Sequence, residues 1–234
     1  MNEGVRLESV SWIVAEKLLS KDPVVIIPLG ASAKEHGPHL PLNNDALIAE
    51  WLAEEVRKQL PVIVAPLVNT SFYPAFVDYP GSISLRLETA RDLLLDICKS
   101  LIKFGVSRFY VVNTGLSTEK PLSLVREELG NGIKFEFLRL NETLQELPAD
   151  LLQQKYGSHA DEHETSLMLY IAPEVVDMRL AVDDGCFTSS TKQGRWSESG
   201  VFGQPNLASV KKGEVIAEAL VAHILARISR LARH

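Results

Sequence analysis

The sequence predicts an α/β fold, a three-layer α/β/α sandwich with a mostly parallel central sheet. Short apolar runs rich in β-branched residues alternate along the chain with longer segments whose apolar residues recur at helical spacing. One of these runs, residues 24–27, shows no polar alternation, which is typical of a strand buried on both faces of a parallel sheet. No low-complexity stretch or charge-rich linker divides the 234 residues, so we expect a single domain over residues 1–234.

The elements of the first half follow from their spacing and end signals. Pro23 ends the first amphipathic segment, and Asn44 or Asp45 is expected to cap the next helix at its N-terminus. A polar loop over residues 28–45 leads from the first strand into that helix. In chain order, the predicted elements are a helix over residues 11–20, a strand over 23–29, a helix over 46–59 and a strand over 61–66.

The second half repeats the alternation of strands and helices. Gly105 ends a strongly periodic helix, Pro148 interrupts a weaker one, Pro173 ends a third, and Gly213 precedes the last. In chain order, the predicted elements are a helix over residues 87–104, a strand over 108–113, a helix over 120–129, a strand over 133–138, and helices over 141–154, up to 171 and over 214–231.

Two long segments lack periodicity. Residues 67–85 carry Phe72, Tyr73, Phe76 and Tyr79 among prolines and a glycine. This segment is either a binding loop at a strand end or an aromatic cluster that covers an edge of the sheet. Residues 179–210, which include Trp196, are rich in Gly, Ser and Asp and predict a long surface or lid-like loop.

The composition excludes several classes of protein. The hydrophobic share of 46% and charged share of 23% are ordinary for a globular protein, and a net charge of -6 argues against a nucleic-acid binder. Cys98 and Cys186 lie far apart without a CxxC spacing, so neither a structural zinc site nor a disulfide framework is expected. There is no signal-peptide pattern and no apolar run near the length of about 20 residues that spans a membrane. We therefore expect a cytoplasmic protein with no nucleic-acid or membrane partner.

The loop over residues 28–45 concentrates side chains that bind divalent metals. Glu35, His36, His39 and Asp45 follow the end of a strand, where open α/β sheets bind their ligands. His36 and Asp45 are the strongest candidate metal ligands, and a carboxylate such as Asp45 can bridge two cations. Glu35 can join them only if the loop is kinked, and His39 is expected to support the site or the fold. The alternative is a polar loop whose hydrogen bonds are satisfied internally.

A second polar cluster, residues 157–166, precedes a helix. His159 is a candidate proton shuttle or substrate donor, and Glu164 is a second candidate catalytic residue. Asp161 and Glu162 are expected to complement the positive end of the helix dipole instead.

The segment after the third strand, residues 113–119, offers hydroxyl groups and backbone amides but no histidine. Ser117 is not flanked by the GxSxG elbow of serine hydrolases. The turn at Gly30 matches neither GxGxxG nor GxxxxGK[ST]. Serine hydrolysis, dinucleotide binding and P-loop phosphate binding are therefore not expected.

Four sequence blocks together resemble the creatininase (creatinine amidohydrolase) family. They are His36-Gly-Pro-His-Leu-Pro-Leu-Asn-Asn-Asp45, Tyr79-Pro-Gly-Ser-Ile-Ser-Leu85, His159-Ala-Asp-Glu-His-Glu-Thr-Ser166 and Gly200-Val-Phe-Gly-Gln-Pro205. The blocks occur in the family's order across nearly the whole chain. The resemblance implies a three-layer α/β hydrolase in which two divalent cations activate a water against a cyclic or linear amide, usually in a hexamer. It implies that His36 and Asp45 bind metal and that His159 assists protonation of the substrate.

The sequence departs from the family at three expected ligand positions. A glutamate usually stands two residues before the first histidine, where this chain has Lys34. Glu35 takes that role if the loop carries one extra residue. Gly115 and Ser117 stand where the family has a histidine and often a glutamate. A site with one metal, or with Glu164 recruited as a ligand, is expected in place of the full pair.

The sequence therefore predicts a divergent metal-dependent amidohydrolase that acts on C–N bonds of a small, non-peptide amide. The predicted metal ligands are Glu35, His36 and Asp45, and the predicted catalytic residues are His159 and Glu164. The expected cofactor is one or two divalent metal ions per chain, zinc or manganese, with iron as a further candidate. The expected partners are a small-molecule substrate and further copies of the chain. The alternative is a metal-free or non-catalytic small-molecule-binding protein, in which Lys34 takes the place of a metal by pairing with Asp45 or Glu164.

Overall fold

The computed structural model describes residues 3–185, 195 and 197–233. Cys186 and Trp196, and with them part of the predicted loop over residues 179–210, lie outside the described residues. The structure confirms the predicted fold class: a parallel five-stranded sheet lies between two layers of helices. The strands are β1 (Val5–Arg6), β2 (Val24–Leu29), β3 (Ile63–Val64), β4 (Arg108–Asn113) and β5 (Lys134–Phe137), in the sheet order β1-β3-β2-β4-β5.

In the part of the chain that the structure describes, seven α-helices surround the sheet. Their bounds are α1 (Trp12–Leu19), α2 (Asn44–Arg57), α3 (Leu87–Ile102), α4 (Glu119–Leu129), α5 (Leu140–Leu144), α6 (Glu162–Ile171) and α7 (Val210–Arg233). Among the residues that the structure describes, none of these helices combines the length and apolar character that a membrane crossing needs.

Side-chain alternation along the strands divides the interior into two hydrophobic cores. In β2, Val24 and Ile26 face the core that α2, α6 and α7 cover, whereas Val25, Ile27 and Leu29 face the core that α1, α3 and α4 cover. Both faces of the central strand are therefore buried, as the apolar run predicts. Cys98 packs into the second core, where burial raises the pKa of its thiol to about 12.

The helix predicted over residues 141–154 is wrong. Only the short α5 forms. Pro148 lacks a backbone N–H and disrupts a continuing helix. Beyond it, the N–H groups of Gln153 and Gln154 donate to the Glu162 carboxylate instead of to a preceding turn.

Three details at element ends also differ from expectation. Neither Asn44 nor Asp45 caps α2, since both lie within its first turn and the N-cap is Asn43. Gly213 lies inside α7 rather than before it, since α7 begins at Val210, and a Cβ at Gly213 would overlap the carbonyl of Ser166 where α6 and α7 meet. The edge strand β1 was not predicted, since two residues carry no readable pattern.

The strand order places a topological switch point between β2 and β4. From β2 the chain passes through α2 to β3 on one side, and from β3 it passes through α3 on the opposite face to β4 on the other side. In open α/β sheets, ligands bind where the connections diverge at the carboxyl ends of the strands. The loop over residues 30–43 and the loop over residues 114–118 both begin there.

Gly30 makes this arrangement sterically sensitive. A Cβ at Gly30 would overlap the backbone carbonyl of Asp45 at the start of α2. We expect Gly30→Ala to lower the free energy of unfolding by about 1–3 kcal/mol through overpacking. Gly132→Ala is the matched control, because a Cβ there has no neighbour within 4 Å. Urea unfolding of both variants measures the difference, and equal stability would contradict the role of Gly30.

Candidate active site

A cavity of about 320 Å³ opens at the carboxyl edge of the sheet, beside the loops that follow β2 and β4. Its wall includes Lys34, Phe76, Gly115, His159, His163 and Glu164. Phe76 belongs to the predicted aromatic loop, so one part of that loop does face a pocket. The volume suits a small organic molecule.

His36 is fully buried behind the cavity wall. Its Nδ1 lies 2.9 Å from the carbonyl oxygen of Lys34, and its Nε2 lies 2.8 Å from Asp45 Oδ1. A carbonyl oxygen can only accept, so Nδ1 carries the hydrogen and Nε2 faces a second acceptor. Two acceptors at this distance require a proton or a cation between them. Metal-binding histidines commonly donate their other N–H to a carbonyl in this way.

Lys34 and Asp45 form a buried ion pair, with 4% and 1% of their surfaces exposed. Lys34 Nζ lies 2.6 Å from Asp45 Oδ2, although the contact lacks the angles of a directed hydrogen bond. The ammonium also lies 4.9 Å from the centre of the Phe76 ring. Burial alone would raise the pKa of Asp45, but the Lys34 ammonium and the contact with the His36 ring outweigh burial and hold that pKa below its usual range.

His159 lies between two buried carboxylates. Its Nε2 is 2.9 Å from the carbonyl oxygen and 3.2 Å from the Oε2 of Glu35, and its Nδ1 is 3.8 Å from Glu164 Oε2. Its ring centre lies 5.0 Å from that of His36. The backbone of Phe202 pairs with His159 in both directions, so the segment near the end of the chain fixes this residue.

Gly37 supplies the kink that the sequence requires if Glu35 and His36 are to reach one site. It adopts a φ of 70°, which favours glycine, and its N–H donates to Glu35 Oε1. On the other side, a Cβ at Gly200 would overlap the Glu35 carboxylate. The N–H of Gly37 therefore holds the Glu35 carboxylate, and Gly200 leaves the space in which that carboxylate lies beside His159.

Glu164 projects from the first turn of α6. The N–H of Ala160 donates to Glu164 Oε2 at 2.6 Å, and Ala160 holds a left-handed φ of 49° that residues with a side chain rarely adopt. Asp161 caps the helix by accepting from the N–H groups of His163 and Glu164, which agrees with its expected role at the helix N-terminus. Glu162 is fully buried and also pairs with Lys212, a contact that the sequence does not predict.

His163 is a cavity residue to which the sequence gives no role. Burial alone would lower the pKa of His163, but Asp161 Oδ1, 2.6 Å from its Nδ1, raises that pKa to about 9. The sequence shows that His163 belongs to the cluster over residues 157–166. The direction of its side chain depends on the residue at which α6 begins, and the sequence does not give that residue.

The described residues bring His36, His159 and Glu164 together as one potential cation site, with ligand atoms all within 4.8 Å of one another. Two imidazoles and one carboxylate are a donor set that zinc and manganese accept. The sequence divides these residues differently, with ligands in the first loop and catalytic groups in the second cluster. In the structure Asp45 adjoins the group through His36, and Glu35 adjoins it through His159.

The loop after β4 contributes no metal-binding side chain near the expected positions. Gly115 has none, and the Ser117 hydroxyl donates to the Phe72 carbonyl at 2.8 Å. Asn113 is used within the loop, where its Nδ2 donates to the Gly115 carbonyl. This loop shapes the cavity wall.

His39 joins two elements of the fold, which is one of the two roles expected for it. Its Nε2 lies 2.8 Å from Thr165 Oγ1 and links the first loop to α6. Burial lowers the pKa of His39 to about 4. The unfolded chain therefore binds a proton near pH 6.5 that the folded chain does not bind until about pH 4.

We expect His39 to weaken the fold as the solution becomes acidic. Its contribution to stability is fully present above pH 6.5 and is lost as the pH falls toward 4, at up to about 1.4 kcal/mol per pH unit. His39→Gln replaces the imidazole with an amide that can still contact Thr165 but does not titrate. We expect this variant to show a weaker dependence of stability on pH between 4 and 6.5. Urea unfolding at several pH values in the presence of chelator measures it. An unchanged slope in the variant would show that other groups cause the acid sensitivity.

The chain is similar to proteins of one known family. A family model described as creatininase, creatinine amidohydrolase, matches residues 8–228. A mycofactocin precursor peptide peptidase of Mycobacterium ulcerans is 28% identical over 92% of this chain and 88% of its own length. The creatinine amidohydrolase of Pseudomonas putida is 24% identical over 96% of each chain.

Solved structures show the same fold. A structure described as creatininase Mn superposes with a TM-score of 0.81, at 24% identity over 97% of this chain and 98% of that one. A creatininase variant described as the Zn-Zn type superposes with a TM-score of 0.79, at 24% identity over 98% of each chain. The match of the family model to nearly the whole chain confirms the resemblance read from the sequence blocks, and the chain belongs to the creatininase family of hydrolases.

Proposed function

We propose that this protein hydrolyses a C–N bond of a small amide in the 320 Å³ cavity, with the help of a divalent cation held by His36, His159 and Glu164. The observation that carries the proposal is the convergence of these three ligand groups beside the cavity at the switch point of the sheet. The names of two relatives, a peptidase and an amidohydrolase, denote hydrolysis of amide bonds and support the same reaction.

The local hydrogen bonds favour the binding of a cation. The Lys34 carbonyl accepts the Nδ1 hydrogen of His36, so Nε2 is the ring nitrogen that faces Asp45 and would bind a cation. The Glu35 carbonyl accepts from His159 Nε2, which leaves Nδ1 turned toward Glu164. Both imidazoles are therefore fixed in orientation before any ligand binds, which lowers the entropy lost on binding.

Each side chain around the cavity has a physical role in this reaction. A divalent cation, zinc or manganese with iron as a further candidate, supplies Lewis acidity toward an amide carbonyl and a water molecule. Glu35 orients His159. Lys34 brings a fixed positive charge to the cavity wall, where it stabilises negative charge that develops on the carbonyl oxygen. Low exposure of these side chains strengthens each of these interactions.

A second function is favoured by one observation, the contact of 2.6 Å between Lys34 Nζ and Asp45 Oδ2. Lys34 there neutralises a carboxylate that is a predicted metal ligand. A metal-free protein that binds a small molecule in the same cavity would keep this pair and lose the catalytic cation.

Metal analysis and a substrate screen distinguish the two functions. The protein is purified without chelator, its metal content is measured, and its thermal midpoint is recorded with added Zn²⁺ or Mn²⁺. Hydrolysis of cyclic amides, ureas, formamides and short peptides is then assayed with each metal. We expect bound metal, a raised midpoint and metal-dependent turnover of one class. A protein with no bound metal and an unchanged midpoint would support the binding function instead.

A further inference from the structure

We infer that the Lys34 ammonium takes the place of a second divalent cation, so that the site is built for one such cation per chain. This inference rests on the proposed function, because it presumes that the group of His36, His159 and Glu164 binds a metal. It adds the number of cations and assigns the cause to a single side chain.

Three buried carboxylates around the cavity are each paired with a cationic side chain. Asp161 lies 2.6 Å from His163, and Glu162 contacts Lys212. Lys34 lies 2.6 Å from Asp45. Each of these three carboxylates therefore has its own cationic side chain.

Two carboxylates have no such partner. Glu35 and Glu164 are each 7% exposed, and the ion-pair contacts that the described residues make with them come from His159, at 3.2 and 3.8 Å. The described residues place no lysine or arginine within ion-pair distance of either carboxylate, so two buried carboxylates share one imidazole. Unpaired buried carboxylates are strongly unfavourable. One divalent cation at the group of His36, His159 and Glu164 would neutralise both.

The space beyond His36 contains the Lys34 ammonium. A second cation needs further negative charge and further donor atoms. The charge of Asp45 is already matched by Lys34, and the ammonium is held in place by that carboxylate and by the face of the Phe76 ring at 4.9 Å. Across the cavity, Gly115 offers no side chain and the Ser117 hydroxyl donates to Phe72. A fixed ammonium supplies positive charge there without exchange and without Lewis acidity.

Charge-altered variants test the inference through metal stoichiometry. Lys34→Glu changes the charge of Lys34, Asp45, Glu35 and Glu164 together from two negative charges to four, and we expect its metal content to rise from one equivalent per chain to two. The double variant Lys34→Met with Asp45→Asn keeps two negative charges and should bind one. Lys103→Glu makes the same charge change on an exposed part of α3's C-terminal turn and should also bind one.

Two readouts apart from activity are used. Elemental analysis after dialysis against Zn²⁺ gives the stoichiometry. Electron paramagnetic resonance of the Mn²⁺-loaded proteins separates a lone ion, expected in the wild type, from an exchange-coupled pair, expected in Lys34→Glu.

Different outcomes separate this inference from the proposed function. A wild-type protein with two equivalents and an exchange-coupled pair overturns the inference and leaves the proposed function intact. A folded Lys34→Glu variant with one equivalent also overturns it. A wild-type protein that binds no metal removes the cation from the proposed function itself. Should Lys34→Glu fail to fold, the wild-type stoichiometry and its Mn²⁺ spectrum still decide between one cation and two.

Discussion

The His36→Ala variant is expected to take up no divalent cation and to lose amide hydrolysis by about a thousandfold or more. His36 is fully buried, and its orientation is fixed by the Lys34 carbonyl, so the variant removes a preoriented metal donor, its Nε2. Losing the Lewis acidity of a bound metal removes about 4 kcal/mol or more of transition-state stabilisation, which corresponds to that factor in rate. Metal content after dialysis and turnover of the best amide substrate are measured together.

His39→Gln is the matched control for this experiment. His39 is a second buried histidine in the same loop, but its Nε2 contacts Thr165 on α6. We expect this variant to retain one equivalent of metal and its turnover. Glu164→Gln, which removes the carboxylate charge of the group, should behave like His36→Ala. Full metal uptake by both His36→Ala and Glu164→Gln would refute the assigned site.

The Lys34→Met variant is expected to lose about 3–5 kcal/mol of stability in the absence of metal, because the buried Asp45 carboxylate loses its ammonium partner and keeps the contact of its Oδ1 with His36. The pair is 4% and 1% exposed, so water cannot solvate the remaining charge. Adding Asp45→Asn should restore most of the loss, since the double variant contains neither charge. Buried ion pairs contribute little net stability, yet removal of one partner alone is costly.

A double-mutant cycle measures this coupling. Urea unfolding of the wild type, the two single variants and the double variant in chelator gives the interaction free energy. We expect the single variants to be far less stable than the double. If Lys34→Met proved as stable as the double variant, the ammonium would not be the charge that neutralises Asp45.

Much of the fold could be predicted from the sequence, because apolar periodicity reports burial directly. The strand β2 and the helices α2, α3 and α4 lie close to their predicted positions. The failures have local causes. The helix over residues 141–154 fails because Pro148 interrupts it and because the Glu162 carboxylate accepts from the N–H groups of Gln153 and Gln154, nine and eight residues earlier in the chain. A two-residue strand such as β1 carries no periodicity at all.

The site was harder to predict than the fold. The sequence predicts that His36, Asp45, His159 and Glu164 take part in metal binding or catalysis. The structure brings His36, His159 and Glu164 together, and Asp45 contacts His36. The sequence cannot show which of these residues are metal ligands and which are catalytic. That division depends on contacts such as the one between Glu35 and His159, which are separated by 124 positions in the chain. The sequence left two partners open for Lys34, namely Asp45 and Glu164. The loop geometry decides between them.

The participation of the chain's final third in this site has a consequence for biosynthesis. His159 is held by Phe202, and Glu35 fits only beside a glycine at position 200. Closing contacts over such separations carries a large entropic cost until the intervening elements have packed. A ribosome-bound fragment that ends before residue 157 therefore contains His36 without His159 and Glu164, and one that ends before residue 200 lacks the backbone that holds His159. If the proposed cation binds to His36, His159 and Glu164, it therefore binds after these segments have folded and does not nucleate the fold.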